Sequence, residues 1–400
     1  MRILQLCHKL PYPPSDGGSI AMNQITQGLL NNGYSVKVVA LAPPGSEERI
    51  KSIPESYIKA TKFEALSIDT RIKVVDAFLN LFTKKSYNIA RFYSKNVSKR
   101  LAQILQNEDF DIIQLEGLFL TPYIPVIRQH TGAPLLFRSH NIEHFIWERL
   151  SLACKNPLKK IYLRLLAKRL KRFELKTVHQ VDGLIAISPV DMQFFLKNGF
   201  SQAAVTIPVA VDPESFDKKT TEKQNPTVFH IGSMDWRPNQ EGLLWFLDHV
   251  WPLVSAKKPD LRFVLAGKNI PGRFYEYDSG QVHVAGEVPD ASAFMLSNGL
   301  MVVPLQSGGG MRVKIIEGMA AGKAIVSTSI GAEGISCLHG ENILLADTPD
   351  EMADAIIYCF DNPAFMNKLA NNAKQFARTN HHIQPVIDKL TGFYKTFYKA

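Results

Sequence analysis

The chain alternates strand-like and helix-like segments in two successive series, and this alternation restricts its fold more than any other feature. The first series has apolar runs of strand length at Ile3–Cys7, Val36–Leu41, Ile112–Leu115, Leu135–Arg138 and Gly183–Ile187. The second has them at Val228–Ile231, Arg262–Ala266, Val282–Ala285, Leu300–Val303 and Ala324–Ser327. Strands that alternate with helices favour parallel, doubly wound sheets. The sequence therefore predicts an α/β fold with two Rossmann-like domains.

A polar segment separates the two series. Residues 212–226 read DPESFDKKTTEKQNP, with the charge and the prolines of a linker. The 400 residues also exceed one ordinary domain of about 100–200 residues. We predict an N-terminal domain over 1–211, a hinge over 212–226, a C-terminal domain over 227–380 and a final helix over 381–400 that packs back on the N-terminal domain. Ligands of doubly wound folds bind at the carboxyl ends of strands, so we expect one in a cleft between the domains.

The composition excludes several classes of protein. Hydrophobic residues make up 46% and charged residues 21% of the chain, as in globular proteins. No apolar run approaches the roughly 20 residues that span a bilayer. The N-terminus is too short and interrupted for a signal peptide and reads as a first strand. The four cysteines lie far apart without C-x-x-C spacing, which disfavours disulfides or zinc and favours a reducing cytoplasm.

The net charge of +9 is concentrated in one segment, residues 155–176, where nine basic residues and one acidic residue leave +8. On a helix, one face is apolar and consists of Leu158, Ile161, Tyr162, Leu165, Leu166, Leu170 and Phe173. The opposite face carries Lys160, Arg164, Lys168 and Lys171. Such a helix suits an anionic membrane surface, or it can be an ordinary surface helix packed on its own domain; both can hold. No RNA-binding motif accompanies the charge, so no nucleic-acid partner is expected.

The densest chemical signal lies at residues 302–330, VVPLQSGGGMRVKIIEGMAAGKAIVSTSI, which read strand, glycine-rich turn, helix and strand. The helix is predicted over Met311–Ala321. Gly308–Gly310 leave backbone amides open where it begins, which suits a diphosphate. Arg312 and Lys314 add positive charge, and the Glu317 carboxylate can accept two hydrogen bonds from a ribose diol. A triple glycine can also be only a flexible turn.

This segment resembles the donor-binding motif of the retaining glycosyltransferases of family four, which have the GT-B fold. EGMAAGKAIV stands where the family has EAMAxGxPVV. Glu317 matches the second glutamate of the family's E-x7-E pair, which implies a contact with the nucleotide ribose. Gly309 stands at the first, so that carboxylate is missing. The pattern PLxxGGGxRxKxxE resembles that of one branch of the family, the exopolysaccharide-associated (PEP-CTERM system) sugar transferases. The resemblance to this branch implies that glycine amides take the place of the missing carboxylate around the donor sugar.

The resemblance extends along nearly the whole chain. Gly17 and Gly18 follow the first strand, as does the family's glycine loop facing phosphate and acceptor. In RSHN, His140 and Asn141 follow an apolar strand, where the family has a histidine that contacts the donor sugar. Taken alone, such a histidine is more often structural.

The start of the second domain, HIGSMDWRPNQEG, is similar to the family's GRLxxxKG turn. Ser233 replaces its arginine and Asn239 stands near its lysine. Either Arg237 compensates, or Arg312 and Lys314 take over the diphosphate, which we favour. The resemblance implies a donor site formed by Gly17, Gly18, Gly232, Ser233, Arg237, Gly267, Gly308, Gly309, Gly310, Met311 and Glu317.

These observations imply a retaining glycosyltransferase that moves a sugar from a nucleoside-diphosphate sugar to a glycan or lipid-linked acceptor in cell-surface polysaccharide synthesis. We expect a cytoplasmic protein, peripheral on the inner face of the cell membrane. The predicted catalytic residues are His140, Arg312 and Lys314. Asn141 and Glu116 are predicted on the acceptor side, although Glu116 can equally be a buried structural carboxylate.

No cofactor and no essential metal are expected. The D-x-D at Asp109 and Asp111 leads straight into an apolar strand, so it is interpreted as a helix end. Two alternatives remain. One is a sugar-nucleotide epimerase of GT-B fold, which needs no acceptor. The other is a catalytically inactive GT-B subunit that binds a membrane or a partner, and the missing first glutamate favours it.

Overall fold

The computed structural model describes residues 1–80, 82–83, 85–216 and 226–398. The chain forms two compact units. Unit 1 consists of Met1–Val209 and the chain from Gln384 onward; unit 2 consists of Ala210–Ile383.

The division between the units differs from the predicted boundary at residue 211. Val211 pairs with His382 in a parallel bridge, and its N–H donates to the carbonyl oxygen of His381 at 2.7 Å. The N–H of Ile383 donates back to the carbonyl oxygen of Val211 at 3.1 Å. Val211 and residues 381–383 are therefore tied to each other, and all of them belong to unit 2. Most of the predicted hinge, residues 217–225, lies outside the described residues.

Unit 1 is built on a parallel sheet with the strand order β3-β2-β1-β4-β5-β6-β7. The strands are β1 (Arg2–Cys7), β2 (Ser35–Ala42), β3 (Glu64–Ser67), β4 (Ile112–Glu116), β5 (Leu135–Ser139), β6 (Gly183–Ala186) and β7 (Ala203–Thr206). Every residue of β4, β5 and β6 is buried, as expected for parallel strands covered by helices on both faces. The short strands β3 and β7 were absent from the sequence prediction.

The helices of unit 1 flank this sheet. Before residue 210 they are α1 (Gly17–Asn31), α2 (Glu47–Lys51), α3 (Glu55–Thr61), α4 (Val74–Asn80), α5 (Tyr87–Ala90), α6 (Lys95–Asn107), α7 (Ile124–His130), α8 (Glu143–Ala153), α9 (Pro157–Val178) and α10 (Pro189–Lys197). A 3₁₀ segment at Leu118–Tyr123 precedes α7.

Unit 2 has a second parallel sheet with the order β10-β9-β8-β11-β12-β13. Its strands are β8 (Thr227–Ile231), β9 (Arg262–Ala266), β10 (Val282–Gly286), β11 (Leu300–Val303), β12 (Ile325–Ser327) and β13 (Leu344–Leu345). Its helices are α11 (Arg237–Trp245), α12 (Trp251–Lys257), α13 (Ala291–Ser297), α14 (Val313–Ala320), α15 (Pro349–Asp361) and α16 (Pro363–Asn380). A π-helical turn at Phe246–Val250 joins α11 to α12.

The last helix, α17 (Ile383–Lys395), packs on the sheet of unit 1. The Tyr394 hydroxyl donates to the side-chain oxygen of Gln114 in β4. Phe393 and Phe397 lie over Gly183 in β6, where a Cβ atom would come within 2.7 Å of the Phe397 ring. The N-terminal unit therefore needs both ends of the chain.

The two doubly wound sheets confirm the predicted fold class. Two helix starts differ from the prediction. Gly17 and Gly18 are the first residues of α1, not part of the preceding loop, because the Asp16 side chain caps that helix. The predicted helix Met311–Ala321 is shorter, Val313–Ala320, with Arg312 as its N-cap residue. Among the described residues no helix is long and apolar enough to span a membrane.

The strand order brings the candidate residues together within each unit. In unit 1, β4 lies between β1 and β5, so the residues that follow these strands share one edge of the sheet. In unit 2, β8 and β11 are neighbours, so the turn after β8 lies beside the glycine-rich loop after β11.

Candidate active site

The glycine-rich loop of unit 2 runs from the end of β11 to α14. Gly308 has φ +111° and Gly310 has φ +79°, backbone conformations that residues other than glycine rarely adopt. A Cβ atom on Gly308 would also lie 2.8 Å from the indole ring of Trp236. Gly308 and Gly310 are therefore required by the path of the loop itself, which favours a fixed loop over a flexible turn.

Arg312 holds this loop together. Its side chain is buried, and its Nη1 donates to the carbonyl oxygens of Gly309 and Gly310. The guanidinium carbon lies 5.1 Å from the centre of the Trp236 ring, a cation–π contact. Arg312 therefore braces the loop by binding the loop's carbonyl groups, and its contact with a diphosphate stays a prediction. Met311 is half-buried against an apolar cluster of unit 2, and its donor contact likewise stays a prediction.

Lys314, in the first turn of α14, is half-buried and has two polar partners. Its Nζ lies 2.9 Å from Oδ1 of Asn239 and 3.1 Å from Nε2 of His230. Burial and the neighbouring charge of Arg312 lower the pKa of Lys314 to about 7, against the opposing effect of Glu317. The structure thus brings Lys314 to Asn239, the residue that stands near the basic position of the resembled turn.

Glu317 lies one turn further along α14, on the same face as Lys314. Burial raises the pKa of Glu317 to about 7, although Lys314 opposes the shift. Within the described part of the chain, no hydrogen bond engages the Glu317 carboxylate. A half-buried carboxylate in this state is suited to accept hydrogen bonds from two adjacent hydroxyl groups.

The turn after β8 approaches the neighbouring strand closely. The N–H of Gly232 donates to the carbonyl oxygen of Ala266, and a Cβ atom on Gly267 would lie 1.8 Å from the carbonyl oxygen of Gly232. Gly267 is therefore fixed by close backbone packing.

Two polar residues predicted near this turn have other partners. Ser233 donates to Asp235 at 3.2 Å. Arg237 pairs with Glu241 at 2.7 Å, and its side chain is 75% exposed. Arg237 thus pairs along its own helix and does not join Lys314 in the described structure.

In unit 1, the glycine pair opens α1. Asp16 caps the helix by accepting from the N–H groups of Gly18 and Ser19, and it pairs with Nζ of Lys9 at 2.6 Å. A Cβ atom on Gly18 would lie 2.9 Å from the same Nζ. The Gly17–Gly18 step thus leaves room for a lysine beside a helix N-terminus.

A buried carboxylate lies at the end of β4. Glu116 has no exposed surface, so it does not reach an acceptor directly as predicted. One of its oxygens accepts from Gln5 at 2.9 Å and Gln114 at 2.6 Å; the other accepts from Arg138 at 3.1 Å and His140 at 2.7 Å. Burial opposes ionisation, yet Arg138 and the hydrogen bond from His140 hold the pKa of Glu116 at about 2. Glu116 is an ionised anchor for its neighbours.

His140 is the residue that Glu116 holds in place. Its Nε2–H donates to Glu116, which fixes the tautomer and leaves Nδ1 as an acceptor. Burial lowers the pKa of His140, although Glu116 opposes the shift. Asn141 donates from Nδ2 to Glu143 at 3.3 Å, so its amide is partly engaged beside the histidine.

His8, which the sequence analysis missed, completes this edge. Its Nδ1–H donates to the carbonyl oxygen of Glu116 at 2.7 Å, and its ring centre lies 5.8 Å from that of His140. Burial and the positive charge of Lys9 lower the pKa of His8 to about 3. The available signal was its place directly after β1, equivalent to that of His140 directly after β5.

The basic helix α9 packs on its own unit only in part. Leu163, Leu166 and Leu170 are buried, so the inward face is rotated relative to the predicted one. Leu158 and Ile161, predicted on the apolar inner face, are 78% and 64% exposed. Burial on α9 begins at Leu163, so the apolar side chains of its first turn stay exposed. Lys160 and Lys171 are half-exposed, and Arg164 and Lys168 are exposed.

Comparisons with known proteins match both halves of the chain to glycosyltransferase families. Residues 15–215 match the family described as Glycosyltransferase Family 4, and residues 225–362 match the one described as Glycosyl transferases group 1. The chain belongs to glycosyltransferase family 4. It is therefore a glycosyltransferase.

Several individual proteins are similar to this glycosyltransferase. An "Uncharacterized 44.6 kDa protein in cps region" of Klebsiella pneumoniae is 23% identical, covering 97% of this chain and 98% of its own. The phosphatidyl-myo-inositol mannosyltransferase of Mycobacterium tuberculosis is 26% identical over 47% of this chain and 53% of its own. The crystal structure of Anabaena Alr3699/HepE in complex with UDP and glucose has a TM-score of 0.67 at 14% identity, covering 99% of this chain and 100% of that one. This structural neighbour confirms the GT-B fold.

Proposed function

We propose that this glycosyltransferase transfers a sugar, with retention of anomeric configuration, from a nucleoside-diphosphate sugar to a glycan or lipid-linked acceptor in cell-surface polysaccharide synthesis. The main support is the pair of Lys314 and Glu317 on one face of α14. Lys314 provides a cation in the first turn, and Glu317 provides a carboxylate in the next turn that makes no hydrogen bond within the described residues. The name of the Klebsiella relative, which places it in a cps region, supports the polysaccharide role and the predicted exopolysaccharide branch. The UDP bound in HepE supports the class of donor.

The two residues have complementary tasks. Lys314 stabilises the negative charge that develops on the departing diphosphate, and the loop glycines supply amides beside it. Glu317 accepts hydrogen bonds from the ribose hydroxyls. A charged lysine that is shielded from water attracts an anion more strongly than an exposed one. This arrangement therefore favours binding of the diphosphate.

The proposed reaction needs no general base from the protein. The acceptor oxygen bonds to the anomeric carbon on the face from which the diphosphate departs, and the carbon–oxygen bond to the diphosphate breaks. The acceptor proton passes to the departing phosphate oxygen. His140, with Nε2–H held by Glu116, contacts the donor sugar through its other side, as the family resemblance implies. The scheme requires neither a cofactor nor a bound metal, so we expect activity to persist in EDTA.

The test is a thermal-shift screen against UDP, GDP, ADP and CMP and their sugar conjugates, followed by a transfer assay with the stabilising donor. A ligand at about 100 times its dissociation constant adds about 2.7 kcal/mol to the free energy of unfolding. We expect one nucleoside diphosphate to stabilise the protein. Well-folded protein that none of them stabilises contradicts the proposal.

We also propose that the start of α9 binds the anionic inner face of the cell membrane. Two exposed apolar side chains, Leu158 and Ile161, lie among basic residues there, which is the pattern of a helix that inserts shallowly into a headgroup region. The basic residues Lys160, Arg164, Lys168 and Lys171 extend the same surface along the helix. Each basic residue near an anionic leaflet contributes about 1 kcal/mol, so the four together supply appreciable affinity.

Sedimentation with phosphatidylglycerol vesicles tests this surface. Changing both Leu158 and Ile161 to Gln should release the protein, as should changing Lys160, Arg164, Lys168 and Lys171 to Gln. The matched control replaces Val190 and Leu196, exposed apolar residues of α10, by Gln. Equal vesicle binding by all variants means that α9 is only a solvated helix.

A further inference from the structure

We propose that His230 is a positioning residue for the donor diphosphate, because its Nε2 lone pair holds the ammonium group of Lys314 at the turn after β8. The inference rests on the proposed nucleotide-sugar function. It adds a residue that lies within strand β8, one position before its end and 84 positions before the lysine that it contacts.

The tautomer of His230 follows from its two partners. The side chain is fully buried, and Nδ1 lies 2.8 Å from the carbonyl oxygen of Val302 in the adjacent strand β11. A carbonyl oxygen only accepts, so Nδ1 carries the hydrogen and Nε2 is left as an acceptor. Burial and the charge of Lys314 keep the pKa of His230 well below its ordinary value, so the ring is neutral. Its acceptor atom faces Nζ of Lys314 at 3.1 Å.

Asn239 supplies the second acceptor for the same ammonium group. Its Nδ2 donates to the carbonyl oxygen of Ser233 at 2.7 Å, which fixes the amide so that Oδ1 faces Nζ of Lys314 at 2.9 Å. An ammonium group has three N–H donors. Two are directed at His230 and Asn239, and among the described residues no protein acceptor takes the third. The group is held in place with one donor left for a ligand.

This position is electrostatically costly for a cation. Lys314 lies in the first turn of α14, where the helix dipole disfavours positive charge. Arg312 is close by, and the group is half-buried; Glu317 is the one ionisable group that favours its charge. Among the described residues, the titratable groups that face Lys314 are Arg312, Glu317 and the neutral His230, and burial together with Arg312 outweighs Glu317. A bound diphosphate would add the negative charge that favours the ammonium form.

Two consequences follow for nucleotide binding. The diphosphate should be bound by the charged form of Lys314, so its affinity should fall as pH rises through the pKa of Lys314, about 7. Removing the His230 acceptor disfavours the charged form further and should move this fall to lower pH. A loss of about one pKa unit corresponds to about tenfold weaker binding above the transition.

The experiment compares two substitutions of His230. In His230→Asn, the side-chain amide can still donate to Val302, but the side chain is too short to bring its oxygen to the former Nε2 position beside Lys314. In His230→Gln, the longer amide can place an oxygen near the former Nε2 position. The Lys314 titration is followed by NMR of protein labelled with ¹³Cε-lysine, with the signal assigned through Lys314→Arg. UDP affinity is measured over the same pH range by calorimetry.

We expect His230→Asn to lower the pKa of Lys314 and to weaken UDP binding about tenfold near pH 8, with a smaller effect near pH 6. His230→Gln should restore much of both. The internal control is Lys323, a second buried lysine, whose Nζ donates to the carbonyl oxygens of Leu296 and Asn298. Burial lowers its pKa to about 8, and the His230 variants should leave it unchanged.

The outcomes separate this inference from the proposed function. An unchanged Lys314 titration in His230→Asn overturns the positioning role, even where UDP binds. A shifted titration in a protein that binds no nucleoside diphosphate leaves the pairing intact and overturns the proposed function. Should His230→Asn fail to fold, ¹⁵N-histidine NMR of the wild-type protein decides the point, because a proton on Nε2 is incompatible with the role.

Discussion

Single ionisable groups carry the chemistry of both units, and their charge states follow from burial and neighbours. In unit 2, burial pushes the pKa values of Lys314 and Glu317 toward each other, to about 7 for each. In unit 1, Arg138 and His140 hold Glu116 ionised despite its complete burial. Perturbed groups of this kind cluster where a ligand charge is expected. The donor site and the histidine edge are thus recognisable at the level of individual side chains.

Replacing Glu317 by Ala should weaken nucleotide binding while leaving the fold intact. The variant loses two charge-assisted hydrogen bonds to the ribose, worth about 1.5–3 kcal/mol each, so the dissociation constant should rise by at least about 100-fold. Calorimetric titration with the stabilising nucleotide measures it. Glu341→Ala, at an exposed position of the same unit, is the control. Wild-type affinity in the Glu317 variant would refute the ribose role.

The pH dependence of stability can be derived for Glu317 as well. Its pKa in the folded protein is about 7, above the ordinary value of 4.5, so the folded state favours the protonated form. The stability that this group contributes is complete below pH 4.5 and is lost as pH rises through 7. Glu317→Gln should flatten that part of the pH–stability curve obtained from urea unfolding, whereas Glu341→Gln should leave it unchanged.

Replacing Glu116 by Gln should destabilise unit 1 by about 3 kcal/mol, because Arg138 is left buried without its charge partner. The pKa of Glu116 is about 2, below the ordinary 4.5, so its contribution is present above pH 4.5 and is lost as pH falls through 2. Urea unfolding of the variant should therefore lack this acid-dependent loss. A urea midpoint for Glu116→Gln equal to that of the wild-type protein at neutral pH would mean that the hydrogen bonds of Glu116 do not stabilise unit 1.

At the level of elements, the parallel order β9-β8-β11 positions the donor site, since it places the turn after β8 beside the start of α14. The close approach of the turn after β8 to the end of β9 requires glycine at position 267, where there is no room for a Cβ atom. In unit 1, the order β1-β4-β5 has the same effect for His8, Glu116 and His140. Adjacent strand ends, rather than sequence proximity, assemble each site.

Gly267→Ala tests this element-level packing. The added methyl group meets the carbonyl oxygen of Gly232 at 1.8 Å, so β8 and β9 must separate at their carboxyl ends. Overpacking of this kind costs about 1–3 kcal/mol, and nucleotide affinity should fall with it. Gly272→Ala, at a position with no atom within 4 Å of the added Cβ, is the matched control. Thermal unfolding of the two variants should differ; equal midpoints would contradict the close approach.

At the level of the whole molecule, the chain leaves unit 1 once and returns to it at its end. Buried side chains of α17 complete the core of unit 1; they are Val386, Ile387, Leu390, Phe393 and Tyr394. Unit 2 is continuous in sequence from Ala210 to Ile383. The two units therefore differ in how a change at the C-terminus affects them.

Deleting the chain from Gln384 onward should unfold unit 1 and spare unit 2. The five buried side chains of α17 contribute about 1.5–3 kcal/mol each, which together equal the net stability of a typical domain of about 5–15 kcal/mol. Hydrogen exchange followed by mass spectrometry reads each unit separately. Amides of β4 and β6 should lose protection while those of β8 and β11 keep it. Tyr398→Ala, at an exposed residue near the same end, should leave both protected.

The two-domain architecture could be predicted from the amino-acid sequence alone, whereas the donor site that the sequence indicates stays a prediction. Hydrophobic periodicity is a local property, so most strands, the two doubly wound series and the glycine-rich loop before Glu317 could be predicted from neighbouring residues alone. The family resemblance then identified His140 and the loop. Lys314 could be placed in the first turn of its helix, although its partners could not.

Only the tertiary structure decided which side chains meet. His230 contacts Lys314 because β8 and β11 are neighbours, and His8 joins Glu116 because β1 lies beside β4. The same holds for exposure: Leu158 and Ile161 follow a helical apolar pattern, but no core lies against them. Pairing and burial depend on which distant segments are adjacent, and a one-dimensional pattern does not contain that information.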